Sequence, residues 1–175
     1  MKLMKLMKLK AGFTLIELVL VAGVTGIIAV VVLANLAQGE RNLAVRRSAQ
    51  KIAVALREAQ NMTLGGSQVG SPAQMPEGGF GVYFVVGQNP QLFADFNENH
   101  TYATGGSPPE AQRTIFLDAG VTVSVVSHQH VVFFPPNPDV YMNGVLATGD
   151  ALITVQYGSS TRSVRVNQLG NISIE

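Results

Sequence analysis

The chain has no cysteine and no tryptophan, only three histidines, and charged residues make up just 13% of its 175 positions. Without cysteine there is no disulfide framework and no thiolate metal site. That absence says nothing about compartment, since many exported proteins lack cysteine as well. Scarce charge beside 47% hydrophobic residues excludes a disordered polar chain. The length suits one domain, or one domain with an appendage. Cationic character is also missing from most of the chain. The formal net charge is +1, but Lys2, Lys5, Lys8 and Lys10 fall in the first ten residues, leaving eight basic against eleven acidic residues beyond them. A generally basic nucleic-acid binder does not have that balance. The asymmetry marks the N-terminus as a separate functional unit.

What is present begins with Met1 to Gly12, which read MKLMKLMKLKAG. An apolar stretch of 24 residues follows, Phe13 to Leu36, holding one charge, Glu17. As a helix it would run roughly 36 Å, enough to cross a hydrocarbon core of about 30 Å. Lysines ahead of such a span hold that end in the cytoplasm, so the remainder would face the other side of the membrane. An ordinary secretory signal fits poorly. Its apolar part should run about 7–15 residues and end at small residues, whereas here Ala11 and Gly12 precede a longer run. Cleavage there would leave the apolar helix on the mature chain.

A carboxylate in a membrane helix costs several kcal/mol and requires a partner. Cleavage after Gly12 would free an α-amine on Phe13, about one helical turn before Glu17. The same amine on a neighbouring copy could neutralise the carboxylate once helices pack. Alternatively, Glu17 lies near enough to the membrane surface to stay solvated. The residues alone leave both readings open.

The segment Lys10-Ala-Gly-Phe-Thr-Leu-Ile-Glu-Leu18 resembles the class III signal of type IV pilins and type II secretion pseudopilins. The resemblance implies cleavage between Gly12 and Phe13 by a prepilin peptidase and N-methylation of Phe13. It implies a role for Glu17, the fifth mature residue, in setting assembly register. It also implies a helix that waits in the bacterial inner membrane, head outside the cytoplasm, until it enters a filament core. One departure stands out. Many family members carry proline about twenty-two residues into the mature chain, and this sequence has Ala34. Gly23 and Gly26 could loosen the helix instead, or Ala22 and Gly26 could serve close helix contact.

From 37 to 64 the pattern turns amphipathic. Val45, Ala49, Ile52, Leu56 and Ala59 form one apolar stripe among Arg46, Arg47, Gln50, Lys51, Arg57, Glu58 and Asn61. Leu64-Gly65-Gly66 supplies a stop, so one helix is predicted from about Phe13 to Leu64, roughly 78 Å long. Too few heptads follow to favour a coiled-coil seam. After a loop at 65–76, nine strands are predicted: Phe80–Val86, Gln91–Asp95, Arg113–Leu117, Val121–Val126, Val131–Phe134, Val140–Val145, Ala151–Tyr157, Arg162–Asn167 and Asn171–Ile174. The expected fold is α+β and pilin-like: a long N-terminal helix packed on an antiparallel β-rich head spanning 65–175. Gly79-Phe-Gly-Val-Tyr-Phe84, Leu92-Phe-Ala-Asp-Phe-Asn-Glu-Asn99 and Arg162-Ser-Val-Arg-Val-Asn-Gln-Leu-Gly-Asn-Ile-Ser-Ile174 resemble GspH/FimT-type minor pilins.

Three further groups invite chemistry. Asp95, Asn97 and Asn99 place oxygens at positions one, three and five, as in a calcium loop. The expected sixth-position glycine is His100 and the twelfth position is Gly106, so a turn capped by Asp and Asn side chains is preferred. His128 and His130 could begin a zinc site, but no third ligand is suggested nearby. Arg162 and Arg165 could meet DNA phosphates, as C-terminal arginines do in some minor pilins of this type. On a regular strand, though, three positions apart they face opposite ways. No nucleophile with a base, no phosphate loop and no carboxylate pair stands out, so neither an enzyme nor a cofactor is expected. The expected partners are other pilin or pseudopilin subunits, the prepilin peptidase and inner-membrane lipid. A DNA-binding minor pilin is the second reading, and a membrane-tethered β domain that never polymerises is the third.

Overall fold

A computed structural model describes residues 14–105, 108–137 and 139–175. The basic leader, Gly12 and Phe13 lie outside the described residues. The chain divides into two compact units, ending and beginning at Gly39 and Glu40.

Helix α1 runs Leu15–Leu64. It starts where Thr14 accepts the Glu17 backbone N–H on its hydroxyl at 3.3 Å. Thr14 and Glu17 thus have the spacing of a capping box, in which a hydroxyl satisfies one of the first orphan amides of a helix. In the first unit the large apolar side chains from Leu15 to Leu36 are all exposed, Leu15 at 83% and Val24 at 49%. This part of the helix is long and apolar enough to cross a membrane.

In the second unit the helix behaves differently. Val45, Ala49, Ile52, Leu56 and Ala59 are buried, as the periodicity predicts, while Arg46, Arg47, Gln50 and Lys51 are exposed. The stripe is wider than expected, because Ala44, Ala53 and Ala55 join it.

Ten strands follow among the described residues: β1 Gly79–Tyr83, β2 Gln91–Asp95, β3 Ala111–Thr114, β4 Thr122–Val126, β5 His130–Phe134, β6 Asp139–Met142, β7 Val145–Leu146, β8 Ala151–Tyr157, β9 Ser160–Val166 and β10 Ile172–Ile174. One sheet has the order β3-β2-β1-β5-β6-β7 and the other β10-β9-β8-β4, and every pairing is antiparallel. The architecture is α+β, as predicted. Phe80, Val82, Leu92, Val131 and Phe133 from the first sheet share a single core with Ile153, Val155, Val164 and Val166 from the second, and with the helix stripe.

The predicted strand Val140–Val145 is in fact two. Asn143 and Gly144 take φ of 53° and 82°, the left-handed pair that closes a two-residue hairpin, and β6 folds back onto β7 there. The predicted Arg113–Leu117 starts two residues earlier and stops at Thr114.

The six-stranded sheet is also covered on its second face. Phe93 and Val132 are fully buried there, beneath the excursion joining β2 to β3. Tyr102 of that excursion packs on Tyr83 at 4.9 Å and Phe93 at 5.5 Å between ring centroids, and His100 lies 3.8 Å from Tyr141. Gly81 leaves the space this requires, for a Cβ there would sit 2.9 Å from both Phe93 and Val132.

Candidate functional site

Four regions carry the residues singled out by sequence: the start of α1, the β2–β3 excursion, the turn from β4 into β5 and the last strands. At the start of α1, Glu17 is exposed in the first helical turn and is the acidic residue of that turn. A carboxylate there lies favourably toward the helix dipole's positive end. Beyond it, twelve large apolar side chains are exposed up to Leu36. Each gains about 1.5–3 kcal/mol on leaving water for lipid or for another helix. Gly23 and Gly26 would both admit a Cβ, with nothing within 4 Å in the single chain.

The Asp95 region is a capped turn. Asp95 is fully buried. Its Oδ1 accepts the Asn97 N–H at 3.2 Å and its Oδ2 the His100 N–H at 2.8 Å. Asn97 Oδ1 accepts the Asn99 N–H at 3.1 Å, and Asn99 Oδ1 accepts the Thr101 N–H at 2.7 Å. These side chains serve the backbone of their own loop, as Asx turns do. Glu110, which sequence reasoning overlooked, closes the far end. It is buried, accepts the Ala103 N–H on Oε2 at 2.6 Å, and takes the Asn97 amide on Oε1 at 2.9 Å. Burial pushes its carboxyl above the usual range, against the lowering effect of the Ala103 N–H. His100 Nδ1 lies 3.3 Å from Asp95 Oδ2 without hydrogen-bond geometry.

The two histidines work separately, His128 in the turn after β4 and His130 at the start of β5. His128 Nδ1 meets the Ser127 hydroxyl at 3.0 Å. His130 Nδ1 accepts the Tyr102 N–H at 2.9 Å, which makes it the unprotonated ring nitrogen and places any hydrogen on Nε2. Burial lowers the His130 pKa. Among the described residues no three His, Asp or Glu side chains are grouped to hold a metal ion.

Arg162 and Arg165 do part company. Arg165 is tied to Asp150 and, at 3.4 Å, to Glu175. Those two carboxylates raise its already high pKa further. Arg162 instead lines a cavity of about 450 Å³ with Arg46, Gln50, Ile174 and Glu175.

A second cluster on the head escaped notice in the sequence. Asp118 accepts from Arg47 Nε and Lys51 Nζ, each at 2.7 Å, and its backbone N–H donates to the buried Ser48 hydroxyl at 3.0 Å. The hydrogen bond from Lys51, then that from Arg47, holds the Asp118 carboxyl below its usual range. Lys51 also donates to the Phe116 carbonyl at 3.0 Å. Nothing near Asp118 in sequence signals this, because its partners lie about seventy positions away. The i, i+4 spacing of Arg47 and Lys51 was the only available hint.

Comparison with protein-family models, with curated proteins and with solved structures yields no match.

Proposed function

We propose that this chain is a structural subunit of a type IV pilus or type II secretion filament, of the minor-pilin or pseudopilin kind. In this reading a prepilin peptidase cuts between Gly12 and Phe13. The apolar part of α1 first lies in the inner membrane and then moves into a bundle of like helices. The observation that carries it is a helix whose large apolar residues from Leu15 to Leu36 are exposed all round, broken by one acid in its first turn. A soluble head has no use for such a surface, and a plain anchor has no use for the acid. In a helix bundle both acquire a partner: side chain against side chain, and Glu17 against the Phe13 amine of an adjacent subunit.

The test has two parts. Co-expression of the full chain with a prepilin peptidase should give a mature N-terminus at Phe13, read by N-terminal sequencing. Glu17→Val should abolish sedimentable polymer while leaving the chain in the membrane. A start other than Phe13, or polymer indifferent to Glu17→Val, rejects the proposal.

A further inference from the structure

Charge on the head is sorted by position. Arg46, Arg47, Lys51, Arg57, Arg113 and Arg162 are six of the eight basic residues from Glu40 onward. They gather along the exposed side of α1 and its neighbours. The cavity beside Arg46 and Arg162 shares Gln50 with a groove of about 650 Å³, lined by Arg47, Lys51 and Arg113. That groove has an apolar lip, with Val54 exposed at 58% and Phe116 at 70%. Asp118 and Glu58 neutralise part of the belt, but Arg46 and Arg162 form no ion pair among the described residues.

Among the exposed acids, Glu175 lines the belt's own cavity beside Arg46 and Arg162, whereas three others lie elsewhere. Register places Gly79 opposite Asp95, Phe80 opposite Phe133, and Phe134 opposite Asp139. The start of β1, the end of β2, the end of β5 and the start of β6 therefore share one end of the six-stranded sheet. Glu77, Glu98 and Asp139 are exposed there, and the described segments that build this end contain no Lys or Arg. The belt meets the opposite end, where Thr114 pairs with Gln91 and Gln91 with Tyr83.

We infer that the basic belt of one head docks on the acidic sheet end of the next copy of this chain. The partner is a second copy because the complementary surface is on the same head. The apolar lip at Val54 and Phe116, and the acids within the belt, suit a protein surface better than a phosphate backbone. The two faces are different surfaces, so the contact is heterologous and propagates head to tail instead of closing a dimer. It deepens the filament reading and rests on it for its role, since it would give the heads a contact of their own beside the helix bundle.

The absence of cysteine makes the test clean. Full-length chain in membranes would carry Gln50→Cys with Asn137→Cys, and separately Val54→Cys with Glu98→Cys. Mild oxidation should give a ladder of disulfide-linked oligomers, whereas either cysteine of a pair alone should give no ladder. The Gln50/Asn137 ladder should weaken at least about fivefold when Glu77, Glu98 and Asp139 all become Lys, and similarly from 50 to 500 mM salt. Adding Arg46→Glu and Arg162→Glu to the lysine variant should restore it. No ladder from either pair overturns the inference, as does a ladder indifferent to charge reversal. Duplex DNA bound through Arg46 and Arg162 with no ladder assigns the belt to nucleic acid and also overturns it. The readout is independent of the cleavage test. Correct processing without a ladder removes only the docking faces, and a ladder without processing at Phe13 removes only the filament reading.

Discussion

Single side chains stand in for backbone partners at several points in the head, and Thr63 does so most consequentially. Its buried hydroxyl donates to the Phe133 carbonyl at 3.1 Å and accepts the Phe80 N–H at 3.0 Å, so the last turn of α1 is bonded to β1 and β5 at once. Thr63→Val keeps the shape and strands both backbone groups. It should cost about 2 kcal/mol or more in urea denaturation, while Thr63→Ser should stay within about 1 kcal/mol of the parent. His130 gives a pH signature. Its unfolded imidazole titrates near 6.5, and burial holds the folded value lower. The folded state therefore resists the proton that the unfolded state accepts. Stability is full above about pH 6.5 and is lost as pH falls from there through the folded pKa. Protonation also removes the acceptor for the Tyr102 N–H. Glu110 acts in the opposite sense. Its raised folded pKa means that the folded state takes up a proton first, recovering stability as pH falls toward 4.5. The His130 contribution is isolated by comparison: between about pH 7.5 and 5.5 the parent should lose more melting temperature than His130→Gln. Equal losses in the two proteins would remove the assignment.

At the scale of elements, the helical stripe sets the stability of the head. Ile52 is fully buried and Val54, two positions on, is 58% exposed. Ile52→Ala should destabilise by about 2–4 kcal/mol, and Val54→Ala should stay within about 0.5 kcal/mol, both read from denaturation midpoints. This contrast was legible in the sequence because a helix repeats every 3.6 residues, and one period suffices to sort buried from exposed positions. The strands were legible in existence but less so in extent. At 140–145, β-branched and aromatic residues suggested one strand, and the Asn143-Gly144 turn signal inside it was overlooked. The β2–β3 excursion was harder. Its Asp, Asn and His residues look the same in sequence whether they grip a cation or cap a turn. What distinguishes the two is where the backbone amides point: the His100 N–H goes to Asp95 and the Ala103 N–H to Glu110. The Asp118 cluster was illegible for a related reason: an ion pair between α1 and the connection before β4 leaves no trace in either segment alone.

The whole molecule is an amphiphile made of two units that follow different rules. From Ala44 to Ile172 apolar side chains meet in one core, and no described residue before Ala44 belongs to it. From Leu15 to Leu36 the large apolar side chains are exposed in the single chain. A hydrophobic surface of that extent does not persist in water, so the first unit dictates where the molecule resides and the second dictates what it displays. Separating them should therefore separate the two properties. A chain beginning at Glu40 keeps the whole core stripe, Ser48, Thr63 and both sheets. It should be soluble without detergent and unfold in one cooperative transition, with a midpoint that Ile52→Ala lowers. The full chain should fractionate with membranes and need detergent to leave them. If the shortened chain instead aggregates or melts without cooperativity, residues 15–39 contribute to holding the head together, and the division at Gly39 is not a division in stability. If it folds and stays soluble, every measurement of head stability and head-to-head docking can be repeated free of lipid, and any polymer that then fails to form is attributable to the missing apolar helix.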